Sequence, residues 1–308
     1  MDGMAAAAAF TTGGSAARRR RRARLATLTL LVLIVVVADA GLAGERRASA
    51  DTAAEEIVPA IVSAYGQTGT LAVAVAYQQA RVAGEPVRAF DARRVRASAY
   101  IADNGEVARR PFPTASMVKL FIAEDVLHRA RIGLLNLDRQ DYLLLQAMIR
   151  RSDDPAASTL WVRYGGGQMV SDVAARYGLT GTTPPSSPGQ WGEAMTTARD
   201  LAQFLSLLPV VAHPADASTL QVWMRTATPL AADGFDQQFG LFGTAPPLTA
   251  VKQGWMCCVG GKRHLHSVAV IGNRVVVLLS EVPRGVSYEA GRAALDAAGA
   301  AMPPPRHP

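Results

Sequence analysis

Thr114-Ala115-Ser116-Met117-Val118-Lys119 opens a stretch in which Val118, Phe121, Ile122 and Val126 recur at helical spacing. On such a helix Ser116 and Lys119 share one face, one turn apart. A serine hydroxyl is a poor nucleophile until a base takes its proton. A lysine serves as that base when burial or a nearby cation lowers its pKa. Ser116 also falls near the helix start, where backbone N–H groups are free to support an oxyanion. The pattern S-x-x-K is short, and about one chance match is expected in a chain of this length. What gives it weight is the scarcity of lysine: of 32 basic residues only Lys119, Lys252 and Lys262 are Lys, and 29 are Arg. Arginine stays protonated in proteins, whereas a buried lysine can release its proton, so a retained lysine points to work that arginine cannot do.

Two further stretches lie downstream. Met148-Ile149-Arg150-Arg151-Ser152-Asp153-Asp154-Pro155-Ala156-Ala157 falls at the end of a predicted helix. Leu248-Thr249-Ala250-Val251-Lys252-Gln253-Gly254-Trp255 reads as a strand. With these the chain resembles the class A β-lactamase and penicillin-binding family, as a divergent exported member. That family's signatures are S-x-x-K, then S-D-N, then K-T-G. The order and the intervals agree, and the resemblance covers residues 51–300.

The resemblance implies a role for each matching residue. Ser116 corresponds to the acylated serine and Lys119 to the base beside it. Ser152 corresponds to the hydroxyl that relays a proton towards the leaving nitrogen; capping of the helix from residue 154 is the other reading of that serine. Lys252 corresponds to the strand cation that lowers its neighbours' pKa values and attracts a substrate carboxylate. Asp154, Gln253, Gly254 and Trp255 fall at substrate-binding positions, and the N–H groups of Ser116 and Trp255 match the oxyanion hole. Trp255 either floors the cleft or packs. No cofactor and no metal are implied.

Three positions depart from the family pattern. Asp154 stands where an Asn is usual; a carboxylate only accepts hydrogen bonds, and it favours the charged form of a nearby lysine. Gln253 replaces a small hydroxyl residue that holds the substrate carboxylate. The loop Glu that activates the deacylating water in β-lactamases of this class falls in register on Pro188, and the nearest carboxylate is Glu193. An acyl-enzyme is therefore expected to persist.

Outward from these motifs the chain divides simply. Residues 70–77 and 96–101 read as strands, with a turn at Asp103-Asn104-Gly105. Helices are predicted from Ser116 and over 138–150, 154–164, 168–177, 196–208 and 217–226. Strands return over 248–253, 265–271 and 275–279, with a hairpin turn at Gly272-Asn273, and a helix over 289–299 closes the chain. The class is α+β: an antiparallel sheet built from both chain ends, with flanking helices and an inserted helical subdomain over about residues 116–225. A tail at residues 301–308 is expected to be loose.

The N-terminus reads as a targeting segment and linker over residues 1–50. Arg18 to Arg22 and Arg24 precede an uncharged apolar run from Leu25 to Ala38, then Ala38-Asp39-Ala40. That is the layout of a secretory signal, either cleaved or kept as a membrane anchor. No Cys follows it at the place for lipid attachment. The formal charge of +7 resides largely in this segment, and no basic stripe suggests nucleic acid as a partner. The two cysteines, Cys257 and Cys258, are adjacent and form either a vicinal disulfide or two packed thiols. His264 and His266 alternate on a strand and are expected to line or flank the cleft; His128 is expected on a helix surface.

The expected function is an exported serine hydrolase that acylates Ser116 with a small-molecule or peptide amide, such as a β-lactam or cell-wall material. A catalytically weak cell-envelope binding protein on the same fold is the alternative. Any membrane contact would run through the N-terminal segment.

Overall fold

The computed structural model describes residues 54–80 and 100–303. The targeting segment, most of the strand expected over 96–101 and most of the expected tail lie outside them. Five strands form one antiparallel sheet: β1 (Thr70–Tyr77), β2 (Ile101–Asp103), β5 (Ala250–Cys257), β6 (Lys262–Ile271) and β7 (Arg274–Pro283), in the order β2-β1-β7-β6-β5. A short pair, β3 (Phe112–Pro113) and β4 (Met195–Thr196), makes a second sheet. The first sheet joins segments from before and after the helical stretch, as the element order predicts.

Strand alternation divides the interior in two. Along β1, Ala72, Ala74 and Ala76 face one core, while Leu71, Val73 and Val75 face the other. β7 repeats the division, with Val275, Val277 and Leu279 on the first side and Val276 and Leu278 on the second. The second core is closed by α1 (residues 54–65) and the final helix, α10 (Tyr288–Ala300). Ile57, Val58, Ile61 and Tyr65 of α1 fall at helical spacing on its buried face.

The first core is packed by the inserted helices. A 3-10 turn (Ala115–Met117) leads into α3 (Val118–Arg131), which is followed by α4 (Arg139–Arg150), α5 (Asp154–Tyr164) and α6 (Gly167–Tyr177). α7 (Ala198–Val211) and α8 (Pro214–Arg225) complete the group. Ten successive residues of α3, Val118 to Leu127, are buried, so it is the central helix of this part. Arg176 of α6 ties down the buried carboxylates Glu124 and Asp125 of α3. Two short helices, α2 (Glu106–Arg109) and α9 (Leu241–Thr244), have no counterpart among the predicted elements.

The starts of α4 and α5 are set by local chemistry. Asp138 and Asp141 form a reciprocal capping box on α4. Asp153 caps α5 by accepting from Ala156 N at 2.9 Å, with Pro155 in the first turn. The capping role weighed for Ser152 therefore belongs to its neighbour, and the Ser152 hydroxyl is left for other partners.

Candidate active site

The site forms where the start of α3, the α4–α5 turn and β5 meet. Alternation along β5 decides what each of its residues does. Ala250 packs in the first core and Val251 in the second. Lys252 and Gly254 therefore face the helical side, and Gln253 and Trp255 face away from it.

Lys119 is fully buried, and its Nζ donates to Ser152 O at 2.7 Å, Ser152 Oγ at 3.3 Å and Asp154 Oδ1 at 2.5 Å. Those bonds occupy all three protons of an ammonium. Lys252, also buried, donates to Ser152 Oγ at 2.8 Å and to Gln253 O at 2.6 Å. One hydroxyl thus receives both lysines. Burial lowers the pKa of Lys119, although the Asp154 carboxylate beside it pulls the other way. Burial lowers Lys252 well below the usual lysine range, and the charge on Lys119 adds to the effect.

Ser116 is buried at the edge of this group. Among the described residues no hydrogen bond joins its Oγ to Lys119 or Ser152. Two backbone outliers present the hydroxyl residues: Ala115, just before Ser116, has φ 45° and Ser152 has φ 51°. Left-handed backbone costs a residue with a Cβ about 1–3 kcal/mol and concentrates at functional sites. Gly254 lets the strand reach the turn: a Cβ there would lie 3.1 Å from Ser116 N and 3.3 Å from Ala115 Cβ.

Ser116 opens into a cleft of about 220 Å³ lined by Ala115, Asp154, Gly189, Gln190, Trp191, Gly192, Trp255 and Met256. Among the described residues Asp154 is the only carboxylate of that lining, and its side chain is 58% exposed. The ring centroid of Trp191 lies 4.9 Å from Lys119 Nζ, and its indole N–H donates to Ser158 Oγ at 3.2 Å. Pro188 uses its carbonyl to accept from Trp161 Nε1 at 2.8 Å, which ties the loop to α5.

The structure thus brings Ser116, Lys119, Ser152, Asp154, Lys252 and Gly254 together. It corrects Gln253, whose side chain is 1% exposed and bonds Phe239 O at 2.6 Å and Ser267 Oγ at 2.9 Å, on the face turned from the cleft. Trp255 borders the cleft, but its ring packs on the second-core side, stacked on Phe235 at 4.5 Å. The histidines are corrected too. His266 is fully buried: its Nε2–H donates to Pro113 O at 2.8 Å, and its Nδ1 accepts from Ser280 N. It braces the strand leading to Ser116 from behind, and neither it nor His264 lines the cleft. His128 is half-buried beside Glu124, in a crevice of the helical part. Cys257 and Cys258 are joined as a vicinal disulfide. Trp191 and Met256 escaped the sequence reading. Trp191 sits between Gln190 and Gly192 in a stretch without periodicity, and only the fold brings it over Lys119.

No protein-family model matches the chain. It is 38% identical over 181 residues to a Mycobacterium tuberculosis protein provisionally named lipoprotein LppW. That match covers 58% of this chain and 57% of the relative, so the chain spans little more than half of the relative's length. The Mycobacterium bovis protein of the same name matches equally. Among solved structures, a β-lactamase from Xanthomonas campestris superposes with a TM-score of 0.58 at 18% identity, over 81% of this chain and 97% of that one. One from Chitinophaga pinensis gives 0.59 at 12% identity, over 78% and 96%. An ancestral class A β-lactamase gives 0.56 at 18% identity, over 80% and 98%. At these identities the likeness is one of architecture, and it agrees with the strand order and inserted helices described above: the chain has the fold of the class A β-lactamases.

Proposed function

We propose that the chain is an exported serine acyl-transfer enzyme that forms a covalent acyl-Ser116 with a β-lactam or a cell-wall-peptide-like amide and releases it slowly. The observation that carries this reading is the convergence of two buried lysines on one serine hydroxyl beside Ser116. Burying a lysine is costly unless it is paired or neutral, and a pair of lowered lysines suits proton transfer.

In the forward step Ser116 Oγ attacks the substrate carbonyl, and its proton passes to Lys119 in the free-amine form. The N–H groups of Ser116 and Trp255 receive the oxyanion. Ser152 Oγ, between the two lysines, relays a proton to the departing nitrogen as the C–N bond breaks. An ester at Ser116 remains. Its hydrolysis needs a water and a base, and the one carboxylate lining the cleft is bonded to Lys119. Export rests on the Arg-rich, apolar N-terminal segment and on the lipoprotein name of the mycobacterial relative. Both cysteines lie at 257–258, so membrane retention would use the apolar run at residues 25–38.

Incubation with a fluorescent penicillin, followed by intact mass over time, tests the reading. A long-lived adduct that is lost in S116A is expected; no adduct, or one that survives S116A, overturns it. A second reading, a binding protein with little catalysis, is favoured by the Lys119–Asp154 pair and by the absence, among the described residues, of a hydrogen bond from the Ser116 hydroxyl to Lys119 or Ser152. Turnover of an activated ester that disappears in K119A would exclude it.

A further inference from the structure

The chemistry of the cleft wall constrains what Ser116 meets. Among the lining residues there is no Lys, Arg or His. Lys252 is 1% exposed and spends its protons on Ser152 Oγ and Gln253 O. Gln253 points to the other side of the sheet. Among the described residues no cation on the wall is therefore placed to pair with a carboxylate. Asp154 instead presents a half-exposed carboxylate whose Oδ2 has no hydrogen-bond partner among the described residues. Asp153 and Asp233 lie close enough to act on Lys119 with the same sign as Asp154. Trp191 is held by its bond to Ser158, and Met256 approaches across the cleft, its Cε 3.9 Å from where a Cβ on Gly192 would lie. An indole face and a carboxylate are groups that recognise alkylammonium ions, and a flexible thioether adds polarizable contact area.

We propose that Asp154, Trp191 and Met256 form a subsite for an ammonium group, so that among the acyl donors of Ser116 those with a cationic tail react faster than those with an anionic one. The selectivity rests on Ser116 being the acylated residue, whereas occupancy of the subsite can be read without any acylation. In the acylation, the Ser116 Oγ–C bond replaces the C–O bond of an ester, and the serine proton leaves with the released alcohol.

Three p-nitrophenyl esters with matched six-carbon acyl chains test it: hexanoate, 6-(trimethylammonio)hexanoate and the monoester of adipate. Acylation of Ser116 is followed by intact mass. The cationic ester is expected to react at least about tenfold faster than the anionic one at low salt. That ratio should shrink at about 0.5 M sodium chloride, where the field is screened, and in D154N. Equal rates, or a faster anionic ester, would overturn the subsite. Acylation by none of the three would count against the proposed function instead, and the subsite is then judged in S116A by tryptophan fluorescence. Phenyltrimethylammonium should quench saturably and benzoate should not; benzoate binding as well or better overturns it.

Discussion

Lys119 cannot be the ammonium partner of Asp154 and the base for Ser116 at once, so Asp154 decides when the base is available. Burial lowers the Lys119 pKa, and the charge of Asp154 raises it. In D154N the largest raising influence is gone, with those of Asp153 and Asp233 remaining, and the amine is neutral from a lower pH. Because the free amine does the work, acylation rises with pH through the Lys119 pKa. The acid limb of the rate profile should therefore move to lower pH. An unmoved limb in D154N would remove Lys119 from the role of base. Single residues were unequally legible in the sequence. Ser116, Lys119 and Lys252 stand out because lysine is rare here, whereas Trp191 meets Lys119 across 72 positions of chain and leaves no local signal.

At the scale of elements, β5 shows what alternation adds to a motif. The pattern places Lys252, Gln253 and Gly254 side by side, but a strand sends neighbours to opposite faces. Lys252 and Gly254 reach the site, while Gln253 clamps Phe239 O and Ser267 Oγ in the second core. Q253A would leave these buried groups unsatisfied and should cost about 1–3 kcal/mol, measured by urea unfolding. Acylation well below the unfolding transition should keep its rate. A loss of acylation in a stable Q253A protein would return Gln253 to the substrate side. The long elements were readable because periodicity accumulates: β1 spans Thr70–Tyr77, as expected from its run of apolar residues, and α5 spans Asp154–Tyr164. The pair β3 and β4 and the 3-10 turn are two or three residues long and carry no period. Yet that turn holds Ser116, so the local geometry of the nucleophile was the least readable part of the site.

The described residues form a sheet with a core on each face, and the site lies where the helical side meets the β5 edge. The α+β class followed from element order, since strands at both chain ends must pair across the inserted helices. Long-range bracing was not readable, and His266 is its clearest case. From β6 it reaches Pro113, 153 positions away, and fixes the strand that leads to Ser116. Burial, with a smaller contribution from His264, lowers its pKa from 6.5 to about 3. The groups around it are Phe112 edge-on, His264 at 6.0 Å, Pro113 O and Ser280 N, and none of them is an anion. Between these two pKa values the unfolded chain binds a proton that the native protein refuses. Stability should therefore fall as pH drops from 6.5 towards 3, by on the order of 4–5 kcal/mol across the full window. In H266Q the amide can still donate to Pro113 O but does not titrate. Its melting temperature should start below that of the native protein at pH 7 and decline less steeply below pH 6.5. Parallel curves for the two proteins would mean that carboxylate pairs alone, such as Arg176 with Glu124 and Asp125, govern the acid sensitivity.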